Sequence, residues 1–320
     1  MTSQLTVRVA RRERVARDID AFELVMADGS SLPSVTAGAH VDVHIPGGCI
    51  RQYSLANDPA DAGRYVIGVL NDPASRGGSA AMHARVKEGD LLTISAPKNH
   101  FPLAQDASHS VLLAGGIGVT PMLAMAEQLV SSGASFELHY STRSTERTAF
   151  RERLAGERFA GRIRHHFDDG DPDQHLDLDA LLSLDEPGTH LYVCGPTGFM
   201  EWVLSSARDA RWPEERLHFE FFSAAAVDPA DHGGFEVQIA SSGAVVQVGA
   251  EQTVVAALSD HGIAIPMSCE QGVCGTCLVG VLEGEPDHND LFLMPKEQAA
   301  NDRFLPCISR ARSDRLVLDL

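Results

Sequence analysis

Short runs in which apolar and polar residues alternate fill the first third of the chain. Residues 5–9, 41–45 and 65–69 are examples, rich in β-branched side chains and separated by Gly, Pro, Asn and Asp. A period of two is typical of strands that bury one face. The pattern predicts a small antiparallel β-barrel over residues 1–106, interrupted by one helix over 79–86.

The pattern of apolar and polar residues changes over residues 107–223. An apolar strand at 111–114 precedes a helix at 120–130, and a strand at 136–140 precedes a helical stretch at 146–154. Strand–helix alternation of this kind predicts an α/β domain, with a parallel sheet covered by helices on both faces.

A second change of composition marks the last part of the chain. Residues 224–234 are small, polar and rich in Pro and Gly, so they are expected to form a linker. Residues 235–320 then show a hairpin, a helix over 253–261, a cysteine-rich loop and a final strand. The chain is therefore expected to hold three domains, the last of them α+β.

Composition narrows the function classes. The chain has 26 Lys and Arg against 44 Asp and Glu, a formal net charge of −18, which disfavours nucleic acid as a partner. With 44% hydrophobic and 22% charged residues, it is expected to be globular rather than disordered. Its apolar runs fall short of the ~20 residues that a membrane span requires, and no secretory signal is readable. A cytoplasmic protein without a membrane partner is expected.

The clearest chemical signal is a cysteine array. Three cysteines have the spacing C-x4-C-x2-C, and a fourth follows after 29 further residues: Cys269, Cys274, Cys277 and Cys307. This is the plant-type spacing for a 2Fe–2S cluster. The loop must wrap tightly around two irons, and glycines at 272 and 275 remove side chains that would obstruct it. A structural zinc site is the alternative, although zinc sites more often use two C-x2-C pairs.

Two motifs in the barrel are suited to a flavin. In the predicted strand Arg51-Gln52-Tyr53-Ser54, Arg51 offers a guanidinium to a phosphate, Tyr53 an aromatic wall or a contact to the ribityl chain, and Ser54 a hydroxyl for the isoalloxazine. The run Arg76-Gly77-Gly78-Ser79 opens the helix of this domain, where exposed backbone N–H groups attract an anion and Ser79 is expected to be the N-cap. Taken alone, each motif also fits an ordinary strand edge or turn.

Two loops in the second domain are suited to a nicotinamide cofactor. The first strand runs into a loop that contains Gly116, Gly118, Thr120 and Pro121. Glycines let the backbone approach a pyrophosphate, Thr120 is expected to cap the helix, and Pro121 suits its first turn, although a tight turn without ligand has the same pattern.

The second loop starts at Cys194 and Gly195, directly after a later strand. Ligands of α/β sheets bind at this end of the strands. The Cys194 side chain is equally compatible with a wall beside the nicotinamide and with a small buried core residue.

Together these motifs resemble a known family. RQYS, GGIGVTPM, CGPTGFM and CEQGVCGTC, in this order, are similar to the phthalate dioxygenase reductase family, the class IA oxygenase reductases. Residues 285–312 resemble the vanillate O-demethylase reductase components in particular. The resemblance implies a ferredoxin reductase-type barrel that binds FMN, an NAD domain and a β-grasp 2Fe–2S ferredoxin domain, although the sequence leaves FAD open.

The resemblance also implies a function. It points to an NADH-dependent oxidoreductase that passes electrons through FMN and the 2Fe–2S cluster to a separate terminal oxygenase. We expect a monomeric reductase whose partner is a Rieske non-haem iron protein acting on an aromatic acid. A cytochrome P450 as acceptor is the first alternative, and a non-catalytic interaction protein stabilised by zinc is the second.

Three further features stay open at this stage. Phe221 or Phe222 is a candidate to face the flavin, although a buried strand end is the simpler interpretation. Arg143 either contacts a 2′-phosphate or is solvated, and the resemblance favours NADH. The run from His165 to His175 has metal-ligand side chains but fits a solvated strand end and loop better.

Overall fold

The computed structural model describes residues 4–73, 77–183, 186–222 and 233–320. The chain separates into two compact units, Met1–Glu220 and Phe221–Leu320. No helix in the described part of the chain has both the length and the apolar character needed to cross a membrane.

The first unit begins with a closed antiparallel barrel. Its seven strands are β1 Gln4–Ala16, β2 Ile19–Met26, β3 Ala39–His44, β4 Ile50–Ser54, β5 Tyr65–Leu70, β6 Leu91–Ser95 and β7 Lys98–Asn99. They follow the order β4-β3-β6-β1-β2-β5, with β7 on β3. Leu55, just after β4, bridges Ile67 of β5 and so joins the two ends of this order. Helix α1, Gly78–Arg85, follows β5.

A five-stranded parallel sheet completes the first unit. Its strands are β8 His109–Gly115, β9 Ser135–Thr142, β10 Ile163–Phe167, β11 Thr189–Cys194 and β12 Leu217–Glu220, in the order β10-β9-β8-β11-β12. The intervening helices are α2 Val119–Ser132, α3 Arg151–Leu154, α4 Leu178–Leu182 and α5 Thr197–Asp209. The strand order reverses between β8 and β11, the place where such sheets bind ligands.

The barrel and the parallel sheet pack closely within the first unit. A Cβ built on Gly68 of β5 would lie 2.8 Å from Cγ2 of Thr120 in α2, so only glycine fits there without displacement. The buried carboxylate of Glu127 accepts a 2.7 Å hydrogen bond from Arg153, whose guanidinium also donates to the carbonyl of Ala56 in the barrel. This partly buried ion pair joins α2 to α3, and the hydrogen bond to Ala56 joins α3 to the barrel.

The second unit has the β-grasp arrangement of a mixed sheet with a helix against it. Its main strands are β13 Phe235–Ile239, β14 Val245–Val248, β15 Val279–Glu283, β17 Arg303–Phe304 and β19 Arg315–Asp319; the small pair is β16 Pro286–Asp287 and β18 Arg310–Ala311. The main sheet has the order β14-β13-β19-β15-β17, in which β13 and β19 are parallel. Helix α6, Val254–Asp260, buries Val254 and Leu258 in the sheet's core, and α7 spans Pro295–Ala300.

The predicted architecture is confirmed, but one predicted helix is wrong. The stretch 146–154 divides into a 3-10 turn, Thr145–Arg147, and the single-turn helix α3. Phe150 between them has a φ of 56°, in the left-handed region, which ends any continuous helix. The domain boundaries remain a prediction, since residues 223–232, most of the predicted linker, lie outside the described residues.

Candidate functional site

The predicted phosphate loop brings α1 against Arg51. Gly77 precedes the helix with a φ of 93°, and a Cβ on Gly78 would lie 2.8 Å from Cγ of Arg51. The N-terminus of α1 therefore lies against the aliphatic part of the Arg51 side chain. A helix N-terminus next to a guanidinium is suited to bind an anionic phosphate. Arg76, the other predicted cation, lies outside the described residues.

Two predicted helix caps are wrong. Ser79 is the second residue of α1 rather than its N-cap, and its Oγ accepts a hydrogen bond from the N–H of Asp72 at 3.3 Å. Helix α2 has Gly118 as its N-cap, and Thr120 Oγ1 donates to the carbonyl of Ile117 at 3.0 Å. In both cases a glycine turn starts the helix earlier than the hydroxyl residue.

Ser54 and Glu220 form a partly buried polar contact between the barrel and the parallel sheet. Ser54 ends β4 and donates a 3.1 Å hydrogen bond to Oε2 of Glu220, which ends β12. Cys194, at the end of the adjacent strand β11, is in register with Glu220 and completely buried. Nδ1 of His40 lies 4.0 Å from the other carboxylate oxygen. Cys194 and Glu220 thus end neighbouring strands of the parallel sheet, and Ser54 and His40 approach Glu220 from the barrel strands β4 and β3.

Burial is the main cause of the shifted pKa values of Glu220, Cys194 and His40. It raises the pKa of Glu220 to about 7, an effect that the hydrogen bond from Ser54 opposes. It also raises the pKa of the Cys194 thiol, with the Glu220 charge adding to it. Burial lowers the pKa of His40 to about 4, helped by the neighbouring His100. Near neutral pH, Glu220 is therefore poised to exchange a proton, while Cys194 and His40 stay uncharged.

Glu220→Gln is expected to change how stability depends on pH. Burial raises the pKa of Glu220 from 4.5 to about 7. The protonated carboxyl group therefore contributes to the free energy of unfolding fully below about pH 4.5, and this contribution is lost as pH rises through 7. Between about pH 5 and about pH 8 the wild type should lose about 2–3 kcal/mol more than the variant. Urea unfolding of the whole chain at both pH values measures the difference.

The exposed Glu201 on α5 supplies the control for this experiment. Glu201→Gln should show the same pH dependence as the wild type. Parallel curves for the wild type and Glu220→Gln would contradict the raised pKa.

The two predicted nicotinamide loops meet at the reversal point of the sheet. A Cβ on Gly118 would lie 2.1 Å from the carbonyl oxygen of Cys194, and one on Gly195 would lie 3.0 Å from Cα of Gly115. Gly116 has a φ of 53°, which glycine adopts most readily. The Phe199 ring covers Gly115 and Gly195. Close contact between two glycine loops gives a backbone-lined crevice of the kind that a dinucleotide requires.

The four predicted cluster cysteines come together as two pairs. The thiols of Cys269 and Cys274 are hydrogen-bonded to each other, and so are the thiols of Cys277 and Cys307. Cys307 also lies close enough to Cys274 to interact with its charge. The bond from Cys269 lowers the pKa of the Cys274 thiol to about 5. No disulfide joins these cysteines. Two neighbouring pairs match a cluster in which each of two irons takes two cysteine ligands.

The loop that carries these cysteines is shaped around their sulfurs. Gly272 and Gly275 have φ values of 71° and 68°, and a Cβ on Gly275 would lie 2.3 Å from the Phe292 ring. The N–H of Gln271 donates to Sγ of Cys269 at 3.3 Å, and the N–H of Gly272 donates to the sulfur of Cys307. N–H groups directed at thiolates stabilise added negative charge, so the loop fits an iron–sulfur cluster.

Among the described residues, the four cluster cysteines included, no three Cys, His, Asp or Glu side chains converge as around a single metal ion. In the run from His165 to His175, the first two histidines lie on β10, where His166 stacks on His139. Arg143 is exposed, and Phe221 and Phe222 are half-buried just after β12. Their roles remain predictions.

Sequence reasoning missed Glu220, His40 and Phe199. Glu220 and Ser54 are 166 positions apart, so no local motif connects them. The one available signal for Glu220 was its position at the carboxyl end of a predicted parallel strand, where α/β sheets hold their ligands.

Two segments match protein families. Residues 112–204 match the oxidoreductase NAD-binding domain, and residues 237–312 match the 2Fe–2S iron–sulfur cluster binding domain. The second match covers all four cysteines, and it favours iron–sulfur over zinc.

Similarity to known proteins extends over the whole chain. It is 54% identical over 316 residues to the vanillate O-demethylase oxidoreductase of Pseudomonas sp. (strain HR199 / DSM 7063), covering 99% of this chain and 100% of that one. A solved phthalate dioxygenase reductase, described as a modular structure for electron transfer from pyridine nucleotides to 2Fe–2S, superposes with a TM-score of 0.82 at 39% identity, covering 99% and 98% of the two chains.

A third match belongs to a larger protein. An intact type IV self-sufficient cytochrome P450 monooxygenase superposes with a TM-score of 0.79 at 41% identity. The alignment covers 99% of this chain and 41% of that chain.

Proposed function

This chain belongs to the phthalate dioxygenase reductase family, and we propose that it delivers electrons from NADH to a Rieske non-haem iron oxygenase that acts on an aromatic acid. The family makes it an oxidoreductase with an NAD-binding and a 2Fe–2S domain. The observation that carries the proposal is that one chain combines a glycine crevice beside a barrel strand with two pairs of loop thiols.

The flavin assignment rests on β4 and α1. Arg51 and the N-terminus of α1, at Gly77, Gly78 and Ser79, would hold the phosphate of FMN, together with Arg76. Tyr53, which is largely buried on β4, would contact the ribityl chain or ring, and Ser54 would face the isoalloxazine. When bound, FMN couples the two-electron chemistry of a nicotinamide to the one-electron chemistry of an iron–sulfur cluster.

The nicotinamide assignment rests on the two glycine loops. Gly116 and Gly118 would receive the pyrophosphate, with Thr120 and Pro121 fixing the start of α2. Cys194 and Gly195 would line the nicotinamide pocket, where the uncharged, buried thiol excludes water. Ser54 holds the Glu220 carboxyl in place, and this carboxyl can take up or release a proton there near neutral pH.

The cluster assignment rests on the paired cysteines. Cys269 with Cys274, and Cys277 with Cys307, would each bind one iron. The N–H donors of the loop would balance the charge of the thiolates. We propose that the protein works as a monomer in the reducing cytoplasm, an environment that keeps cysteine thiols available as cluster ligands.

Reconstitution with an oxygenase tests the proposal. The purified chain should contain FMN, iron and acid-labile sulfide, and NADH should bleach both chromophores. Mixed with the oxygenase component of a vanillate O-demethylase, it should drive NADH-dependent demethylation of vanillate. A colourless protein, or one that NADH reduces but that supports no oxygenase turnover, would contradict it.

A cytochrome P450 is the second candidate acceptor. The match to the self-sufficient P450 monooxygenase favours it, because the alignment spans 99% of this chain at 41% identity. Electron transfer to an isolated P450, in the absence of transfer to the Rieske component, would select this candidate.

A further inference from the structure

An apolar patch is exposed next to the cysteine loop. Among the described residues, seven large hydrophobic side chains are exposed, and three of them, Leu291, Phe292 and Met294, lie within four consecutive positions. Leu293 between them is buried at 5% exposure. Isolated exposed hydrophobics need no explanation, whereas a cluster on a surface marks an interaction site.

Hydrogen bonds hold the backbone of the patch in place. The carboxylate of Asp290, whose side chain is completely buried, accepts hydrogen bonds from the N–H of Leu293 at 2.8 Å and of Phe292 at 3.2 Å. Ser309 Oγ donates to the same carboxylate at 3.2 Å. Backbone and side-chain hydrogen bonds to one buried carboxyl group therefore support the segment, whose residues Leu291, Phe292 and Met294 are exposed.

The patch is also continuous with the cluster loop. The N–H of Leu291 donates to the carbonyl of Gly272 at 3.0 Å, and the Phe292 ring lies directly on Gly275, which follows Cys274. A protein that covered the patch would therefore lie against the loop that carries three of the four cluster cysteines.

The net charge of residues 233–320 indicates the chemistry of the partner. Residues 233–320 carry 5 basic and 12 acidic residues, a net charge of −7. Three of the cations already form ion pairs, Arg303 with Glu297, Arg312 with Asp287 and Arg315 with Glu236. A negatively charged domain with an exposed apolar patch is complementary to an apolar area bordered by Lys and Arg.

We propose that Leu291, Phe292 and Met294 form the docking surface for the oxygenase component, which presents an apolar area with a basic border to the cluster loop. This inference rests on the proposed function, because it assumes that the acceptor is a separate oxygenase. Phe292 would lie at the centre of the contact, as the aromatic residue of the patch.

The test combines a patch variant with a control in the same unit. Leu291→Ser with Met294→Ser leaves Phe292 and the loop in place, and serine suits position 294, which is the N-cap of α7. Val245→Ser is the control, because it removes a similarly exposed hydrophobic side chain. Val245 lies on β14, at the opposite edge of the main sheet from β17. The affinity of each full-length holoprotein for the vanillate O-demethylase oxygenase component is measured by calorimetry.

The patch variant should bind at least tenfold more weakly, while the control binds like the wild type. Raising the salt from about 50 to about 300 mM should weaken the binding of the wild type. Cluster content and reduction of the cluster by NADH should be unchanged in both variants.

Three outcomes would overturn the docking surface. Unchanged affinity in the patch variant rejects it while the proposed function stands, since the wild type still serves the oxygenase. Slower cluster reduction with unchanged affinity assigns the patch to the chain's own flavin-binding unit instead. A wild type that neither binds nor reduces the oxygenase rejects the proposed function, and the docking surface with it.

Discussion

Replacing Cys307 by serine is expected to remove the iron–sulfur cluster while leaving the flavin reaction intact. Cys307 is 4% exposed and shares a hydrogen bond with Cys277. A serine hydroxyl is a harder ligand and is far less readily ionised than a thiol, so the second iron would lose one of its two anchors. Iron and acid-labile sulfide should fall to background, and electron transfer to an oxygenase should drop at least a hundredfold.

The same variant should still oxidise NADH with ferricyanide, which takes electrons directly from the flavin. This activity depends on the first unit, Met1–Glu220, whereas the substitution lies in the second. Cys49→Ser is the matched control, because Cys49 is a half-buried free cysteine in the barrel. It should keep iron, sulfide and both activities. If Cys307→Ser retained a full complement of iron and sulfide, the proposed ligand set would be wrong.

Gly118→Ala is expected to produce the largest loss on the nicotinamide side. The added methyl group would lie 2.1 Å from the carbonyl oxygen of Cys194, so the two glycine loops must separate. The backbone itself tolerates alanine, since the φ of Gly118 is −60°. The effect therefore comes from the contact between the loops, and overpacking of this kind destabilises by about 1–3 kcal/mol.

Opening the crevice should raise the KM for NADH at least tenfold in the ferricyanide assay, while FMN content stays near that of the wild type. Gly198→Ala is the control: a Cβ at Gly198, in the first turn of α5, meets no atom within 4 Å. Alanine there should leave KM unchanged and favour the helix slightly. Equal KM values for the two variants would show that the contact between the loops does not shape the nicotinamide site.

The sequence predicted the elements whose information is local. Strand and helix periodicity gave the barrel, the parallel sheet and the last domain, because each pattern spans one element. The cysteine array was readable for the same reason, since three of its four members lie within nine residues. The spacing also required a tight loop, and the positive φ values of Gly272 and Gly275 agree with that.

The remaining features depend on contacts between distant parts of the chain. The Ser54–Glu220 hydrogen bond joins residues that only folding brings together, and Glu220 gains its raised pKa from burial. The stretch 146–154 looked helical, but Tyr140 of β9 accepts a hydrogen bond from the N–H of Ala149 and Phe150 turns left-handed. Tertiary bonds there override a local preference.

The close approach at Gly68 has a consequence for recombining these domains. A chimera that joined this barrel to the parallel sheet of a relative would place foreign side chains against a strand with no room for a methyl group. Thr120 and Ile117 lie 2.8 and 3.3 Å from the position that such a group would take. Residues 68, 117 and 120 pack against each other between the barrel and the parallel sheet. A functional hybrid must therefore take all three from the same parent protein.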